Sequence, residues 1–185
     1  MGRGMARNLH KAGLLRAVWN RTSARADELA AELGVAAATD PAALARECGV
    51  IVLCIAADND VLAVVDALLP GLRAGALVID CSTVSADTAR EAVRRLAARG
   101  GEFLDAPVSG GVEGARDGTL AIMAGGTESA FARAQPVLQA MGRTVTHFGS
   151  SGSGQAAKAT NQIMCAGVIQ AVAEAMAFAK SQGLP

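Results

Sequence analysis

Two short apolar runs, at 50–55 and at 76–79 within a strand expected over 76–81, constrain this chain more than any other feature. Each is continuous rather than alternating, which marks a strand covered on both faces. Segments of helical period lie around them. Thr22 or Ser23 can cap a helix that runs to Leu33 and closes at Gly34. Asp40-Pro41 opens a short helix to Glu47, with proline at the first helical position. A helix over 61–69 stops at Pro70, and Ser85 caps another that runs to Arg99 and stops at Gly100-Gly101. Further strands are expected at 17–19, 103–105, 119–124 and 144–147, and further helices at 5–12 and 128–141. Strands alternating with helices in this way pack as a mostly parallel, doubly wound sheet with helices on both faces. The expected fold class is therefore α/β.

The chain ends differently. From Gln155 to Gly183 it is rich in Ala, Met, Val and Ile and reads as one helix of roughly 40 Å. It is apolar nearly all round, so it is expected to be buried against other helices. None follows it here, so its partners are missing or come from another chain. The start is also short. A doubly wound domain opens with a strand, a glycine-rich turn and a helix, whereas Met1-Gly2-Arg3-Gly4 runs straight into the helix. The expected organisation is residues 1–150 as a nucleotide-binding domain without its first strand, and 151–185 as the start of a helical domain.

Composition narrows the function. The 17 basic and 17 acidic residues cancel without a basic run, which argues against nucleic acid. Aromatics at 3% leave little for base stacking. The contiguous apolar runs at 50–57 and 76–79 are too short for a bilayer, and no signal peptide is visible. Cys48, Cys54, Cys81 and Cys165 form no CxxC pair and suit a reducing, cytoplasmic setting. His10 and His147 lack ligand-spaced partners, so no metal site is expected.

Ligands of a parallel sheet bind where strands end. Gly2 stands before a helix whose N–H groups and dipole would favour a pyrophosphate. The next strand ends in Asn20-Arg21-Thr22, roughly where a dinucleotide fold reads the ribose. An arginine and a hydroxyl there, with no carboxylate, suit the 2′-phosphate of NADP better than the diol of NAD. Ala56-Ala57 and Ser82-Thr83 follow the two apolar strands. Small residues there admit a cofactor, and the Thr83 hydroxyl can touch its nicotinamide side, or else cap a helix.

Asp105-Ala106-Pro107-Val108-Ser109-Gly110-Gly111 breaks a strand into a glycine-rich turn. Ser109, Gly110 and Gly111 can offer N–H and O–H donors to a carboxylate, because glycine lets backbone approach an anion. Lys158 lies in the first turns of the long helix, with Asn161 and Gln162 on its face. A charge and two amides on an apolar helix point to a polar cavity. A desolvated lysine there can protonate the alkoxide formed by hydride transfer.

These residues resemble the β-hydroxyacid dehydrogenase family, which includes 3-hydroxyisobutyrate dehydrogenase, tartronate semialdehyde reductase and the glyoxylate/succinic semialdehyde reductases. Met1-Gly2 with Met5-Ala6-Arg7-Asn8-Leu9 is similar to the end of its Gly-x-Gly-x-x-Gly motif. Residues 105–111, continuing through Gly114-Ala115 and Gly118-Thr119-Leu120, are similar to its substrate signature. Gly152-x-Gly154-x-x-x-Lys158-x-x-Asn161-Gln162 is similar to its catalytic signature. The resemblance implies a Rossmann-like fold and an NAD(P)-dependent oxidoreductase that interconverts a small 3-hydroxy acid and its semialdehyde, or reduces glyoxylate. It implies Lys158 as general acid/base, Ser109, Gly110 and Gly111 on the substrate carboxylate, Asn161 or Gln162 orienting the substrate, and Thr83 beside the nicotinamide. It further implies a homo-oligomer, and a cofactor that is NADP, with NAD possible. Both the leading strand and most of the helical domain of that family are absent from this sequence. The competing expectations are a 6-phosphogluconate-dehydrogenase-like decarboxylase, for which no basic cluster is visible; an imine reductase, which Lys158 argues against; and a non-catalytic nucleotide-binding or oligomerisation module.

Overall fold

In a computed structural model the structure describes residues 1–184; Pro185, the end of the second expected domain, lies outside them. The elements follow in the order α1 (Gly2–Lys11), β1 (Ala17–Val18), α2 (Ser23–Leu33), β2 (Ala36–Ala37), α3 (Pro41–Glu47), β3 (Val50–Leu53) and α4 (Asp58–Leu68). A 3-10 turn at Leu69–Gly71 leads to β4 (Leu77–Asp80), α5 (Ala86–Ala97), β5 (Glu102–Asp105), β6 (Val108–Ser109) and α6 (Gly111–Asp117). The last are β7 (Leu120–Ala124), α7 (Glu128–Met141), β8 (Gly142–His147) and α8 (Ser153–Ser181).

The α/β expectation holds, with parallel pairing throughout except at β6. The hydrogen bonding, however, forms three sheets instead of one: β1-β2, β3-β4-β5 and β6-β7-β8. The second and third meet through a single antiparallel bridge between Asp105 and Gly125. β4 is buried along its whole length, as its apolar residues Leu77–Ile79 require, and the burial extends to Asp80 at its end. One core cluster lies under α1 and α7, around Leu77, Ile79, Leu104 and Ile122. A second lies under α4 and α5, around Val65, Val78 and Leu96. Helices therefore cover both faces of the β3-β4-β5 sheet.

Several boundaries differ from expectation. Helix α1 begins at Gly2, so Gly2 is its first residue and Met1 its cap. The strand expected to run to Ile55 ends at Leu53, because the Ile55 N–H turns to the Ser82 hydroxyl (2.8 Å). The strand β2, the strand β6 and the helix α6 are additional. Helix α6 is glycine-rich and forms against α1: the Asn8 amide donates to the Ala115 carbonyl (2.8 Å).

Helix α8 departs most from expectation. Its first turns are buried at Gly154, Gln155 and Lys158, but the rest lies open. Ile163 is 74% exposed and Phe178 67%. At 29 residues it is also long and apolar enough, by length and composition, to cross a bilayer. The shorter apolar runs considered above do not reveal that property.

Candidate active site

One cleft of about 480 Å³ gathers strand ends from both larger sheets. Cys54, Ile55 and Ala56 line it from the end of β3, and Cys81, Ser82 and Thr83 from the end of β4. Val108, Ser109, Gly110 and Gly111 come from β6 and the start of α6, and Lys158 and Gln162 from α8. Met1 closes one side.

The donor loop has the conformation its glycines allow. Gly110 has φ +131° and Gly111 φ +66°, where a side chain would strain the backbone. The first N–H groups of a helix have no partner within it. Those of α6 thus start at the cleft, beside the half-buried Ser109 hydroxyl.

Lys158 is 7% exposed, and no carboxylate lies within ion-pairing distance of it among the described residues. Burial pushes its ammonium below the ordinary lysine range, with Cys165 acting weakly the other way. Burial likewise raises the Cys54 thiol, and the Cys81 thiol well above its usual value.

Lys158 is held in place by two residues that the motif reading left without a job. The first is Asp105, fully buried at the end of β5. Its Oδ1 accepts the Gly152 N–H (2.7 Å) and its Oδ2 the Gln155 N–H (3.0 Å), while the Ser151 hydroxyl adds a longer contact (3.4 Å). A strand-end carboxylate thus caps the helix that carries the lysine. Burial still raises the Asp105 carboxyl above its usual range, against these donors. The second is Gln155. Its Nε2 donates to the Ser82 carbonyl (2.8 Å) and its Oε1 accepts the Val84 N–H (3.1 Å).

Gly125 and Gly154 make this seating possible. A Cβ on Gly154 would lie 2.3 Å from the Met123 carbonyl oxygen and 2.8 Å from Asp105 Oδ2. One on Gly125 would lie 2.6 Å from the Gly154 nitrogen. The signal that could have found Asp105 and Gln155 is polarity where burial was expected: a carboxylate ending an apolar strand, and an amide three residues before Lys158.

The cleft brings together Ala56, Thr83, Ser109, Gly110, Gly111, Lys158 and Gln162. It omits Asn161, which is half-buried and donates only to the Gln162 amide (3.3 Å). Ala57 caps α4 outside the lining, and Gly2 sits behind Met1 against Cys54. Asn20, Arg21 and Thr22 are exposed and lie outside the cleft, with Asn20 Oδ1 accepting the Thr22 N–H (2.9 Å). That strand end carries no carboxylate of its own, but Asp60 on α4 brings one to 3.3 Å from Arg21 Nη1. The guanidinium is 82% exposed, so this pair is weak and open to exchange.

Parallel strand ends, a positive-φ glycine loop and a buried lysine meet at one cleft, and comparison with known proteins says which family builds such a domain. Residues 1–149 match the family described as the NAD binding domain of 6-phosphogluconate dehydrogenase. Residues 152–185 match that described as NAD-binding of NADP-dependent 3-hydroxyisobutyrate dehydrogenase. The chain belongs to the β-hydroxyacid dehydrogenase family and carries its NAD(P)-binding domain. An uncharacterised oxidoreductase of Shewanella frigidimarina is 40% identical over the whole chain, which spans 64% of that relative. A 3-hydroxyisobutyrate dehydrogenase of Pseudomonas aeruginosa is 47% identical over 64% of the chain and 40% of the relative. Among solved structures, 3-hydroxyisobutyrate dehydrogenase of Mycobacterium tuberculosis, determined with L-serine, superposes with a TM-score of 0.93 at 39% identity. That match covers all of this chain and 63% of the other. The chain thus spans less than two thirds of the length of these relatives.

Proposed function

We propose that residues 1–150 form the nucleotide-binding domain, and 151–185 the start of the helical domain, of an NAD(P)-dependent 3-hydroxyacid dehydrogenase or semialdehyde reductase. The observation that carries this reading is the unpaired, buried Lys158 in one cleft with the Ser109-Gly110-Gly111 donor loop and Thr83.

The cleft fits a dinucleotide at its strand ends, where Ala56 and Thr83 leave the backbone of β3 and β4 approachable. When bound, the nicotinamide supplies or takes up the hydride. The chain's own residues do the rest. Ser109, Gly110 and Gly111 hold the substrate carboxylate through N–H and O–H donors, which turns the other end of a short acid toward Lys158. Gln162, projecting from the same helix face, orients the substrate hydroxyl or carbonyl. In reduction, the Lys158 ammonium gives its proton to the forming alkoxide oxygen; in oxidation, the neutral amine accepts it. Burial lowers the Lys158 pKa, so the ammonium gives up its proton more readily than a solvated lysine does. Arg21 exchanges Asp60 for a 2′-phosphate, which favours NADP over NAD. Four free cysteines suit a reducing compartment such as the cytoplasm.

A decarboxylase acting on a phosphorylated sugar acid has less support, since Lys158 is the one basic side chain among the described residues lining the cleft. A non-catalytic module gives no reason to bury an unpaired lysine.

The test is oxidation of NADPH and NADH by the full-length protein against glyoxylate and small semialdehydes, with and without Lys158→Ala. We expect turnover with NADPH preferred, and a loss of at least ~100-fold in Lys158→Ala with cofactor still bound. Unchanged turnover in that variant would remove the acid/base role. Cofactor binding without turnover on any substrate would favour the module.

A further inference from the structure

The Gln155 amide joins two parts of the cleft that a hydride reaction needs at a fixed separation. It is 3% exposed, in the first turn of α8. Its two hydrogen bonds go to the Ser82 carbonyl and the Val84 N–H, the main-chain groups on either side of Thr83. One side chain therefore grips the backbone around the residue assigned to the nicotinamide side. Lys158 follows three positions later, on the same face of the helix. Asp105 fixes the same turn through the Gly152 and Gln155 N–H groups.

We propose that Gln155 is a positioning residue that sets the spacing between the Thr83 loop and Lys158, and so between the hydride and the proton. This rests on the roles given above to Thr83 and Lys158. The chemistry explains why an amide stands here. The site needs one donor and one acceptor on a single uncharged side chain, because an unpaired polar group would be costly in this burial. Asparagine is too short to span the same two groups, and an ionised glutamate has no donor for the Ser82 carbonyl.

That last difference supplies the experiment. Gln155→Glu keeps the shape. Its protonated acid can donate to Ser82 and accept from Val84 as the amide does, whereas its carboxylate cannot. The charged groups around the position are Asp105 on β5, Asp80 (which accepts the Ser82 N–H), Lys158 on α8 and, beyond Gly152, Arg90 on α5. Burial and the two carboxylates raise the new acid above the ordinary glutamate range.

With saturating NADPH and the best substrate, full-length Gln155→Glu should approach wild-type kcat at low pH. It should lose at least ~10-fold as pH rises through the new group. The NADPH dissociation constant, followed by nucleotide fluorescence, should stay within about 2-fold across that range, since Gln155 contacts Ser82, Val84 and Asp105 and neither Gly2 nor Arg21, which would hold the cofactor's phosphates. Gln155→Leu, similar in volume and without polar atoms, should lose at least ~10-fold at every pH. A merely structural pin would move the melting temperature of Gln155→Glu with pH but add no limb to its kcat profile. Wild-type turnover with no new limb in Gln155→Glu overturns this inference alone, even where Gln155→Leu fails to fold. No turnover in wild type overturns the functional reading and this inference with it.

Discussion

The two halves of α8 are one continuous helix under opposite conditions. Its first turns are buried, capped by Asp105, tied by Gln155 and pressed on Gly125 and the Met123 carbonyl. Beyond Thr160 the helix makes almost no tertiary contact, and Ile163, Val168, Ile169 and Phe178 face outward. The total accessible surface of 9649 Å² exceeds the ~8,200 Å² expected of a compact monomer of this mass. The comparison teaches that the chemistry and the apolar surface of this helix are separate assets. The polar, hydrogen-bonded end places Lys158. The apolar end contributes no burial here, although each large side chain on it would add about 1.5–3 kcal/mol if covered.

The largest way to break this contrast is Gly154→Ala. The added Cβ would meet the Met123 carbonyl, which is main chain, and Asp105 Oδ2, which the Gln155 N–H holds in place. The first turn must lift from β5 and β7, which we expect to cost about 3 kcal/mol or more. Urea unfolding reads this as a lower midpoint; a midpoint equal to wild type would show that the helix seats without this close approach.

The next effect separates two neighbouring carboxylates. Asp80 and Asp105 are partners in register on β4 and β5, and both are fully buried. Asp105 receives three donors, whereas Asp80 accepts the Ser82 N–H on Oδ1 (3.0 Å) and has no partner on Oδ2. Burial pushes the Asp80 carboxyl up to about 6. The sign follows from linkage: between about pH 4 and 6 the folded chain holds this proton more tightly than the unfolded chain does, so its contribution falls as pH rises. Above pH 6 the charge costs of order 3 kcal/mol. Asp80→Asn should therefore gain stability relative to wild type between pH 4 and 7, by up to that amount. A wild-type-to-variant difference that is the same at both pH values would refute the assignment.

Six of the eight strands among the described residues, and the helix caps at Asp40 and Ser85, were legible in the sequence because those rest on local chemistry. Asp40 accepts the Ala43 N–H (2.7 Å) and Ser85 the Thr88 N–H (3.1 Å), each within one turn of its own helix. Lys158, Ser109, Gly110 and Gly111 were legible because charge or glycine stood out against apolar surroundings, and the cleft gathers all four. What was not legible depends on residues far apart in the chain. Asp105 reaches the start of α8 across 50 positions, and Gln155 reaches Ser82 across 73. Spacing alone cannot show either contact. The same limit hid the Asp60 carboxylate from the reading of Arg21, and placed Asn161 on the helix face but not in the cleft. Helix α6 was missed because three of its first five positions, counted from the cap, are glycine. Its stability comes from α1, through the Asn8 amide, and not from intrinsic propensity.

The smallest effect tests the open half of α8. Gly167 lies mid-helix with nothing within 4 Å of an added Cβ. If that half stands free, Gly167→Ala should gain only the intrinsic propensity difference of about 1 kcal/mol. That gain is local, because the outer turns do not bear on either core cluster. It should appear as roughly 5-fold slower amide exchange over the surrounding turns, with little change in the global unfolding midpoint. The same substitution in the full-length protein reads whether the face is covered there. A closely packed surface at Gly167 would turn the gain into a loss, because the methyl would have to displace a neighbour. Slower exchange in this chain with lower stability in the full-length protein would identify Gly167 as a contact point of the covered face. Slower exchange in both would leave the outer half of the helix free at that position.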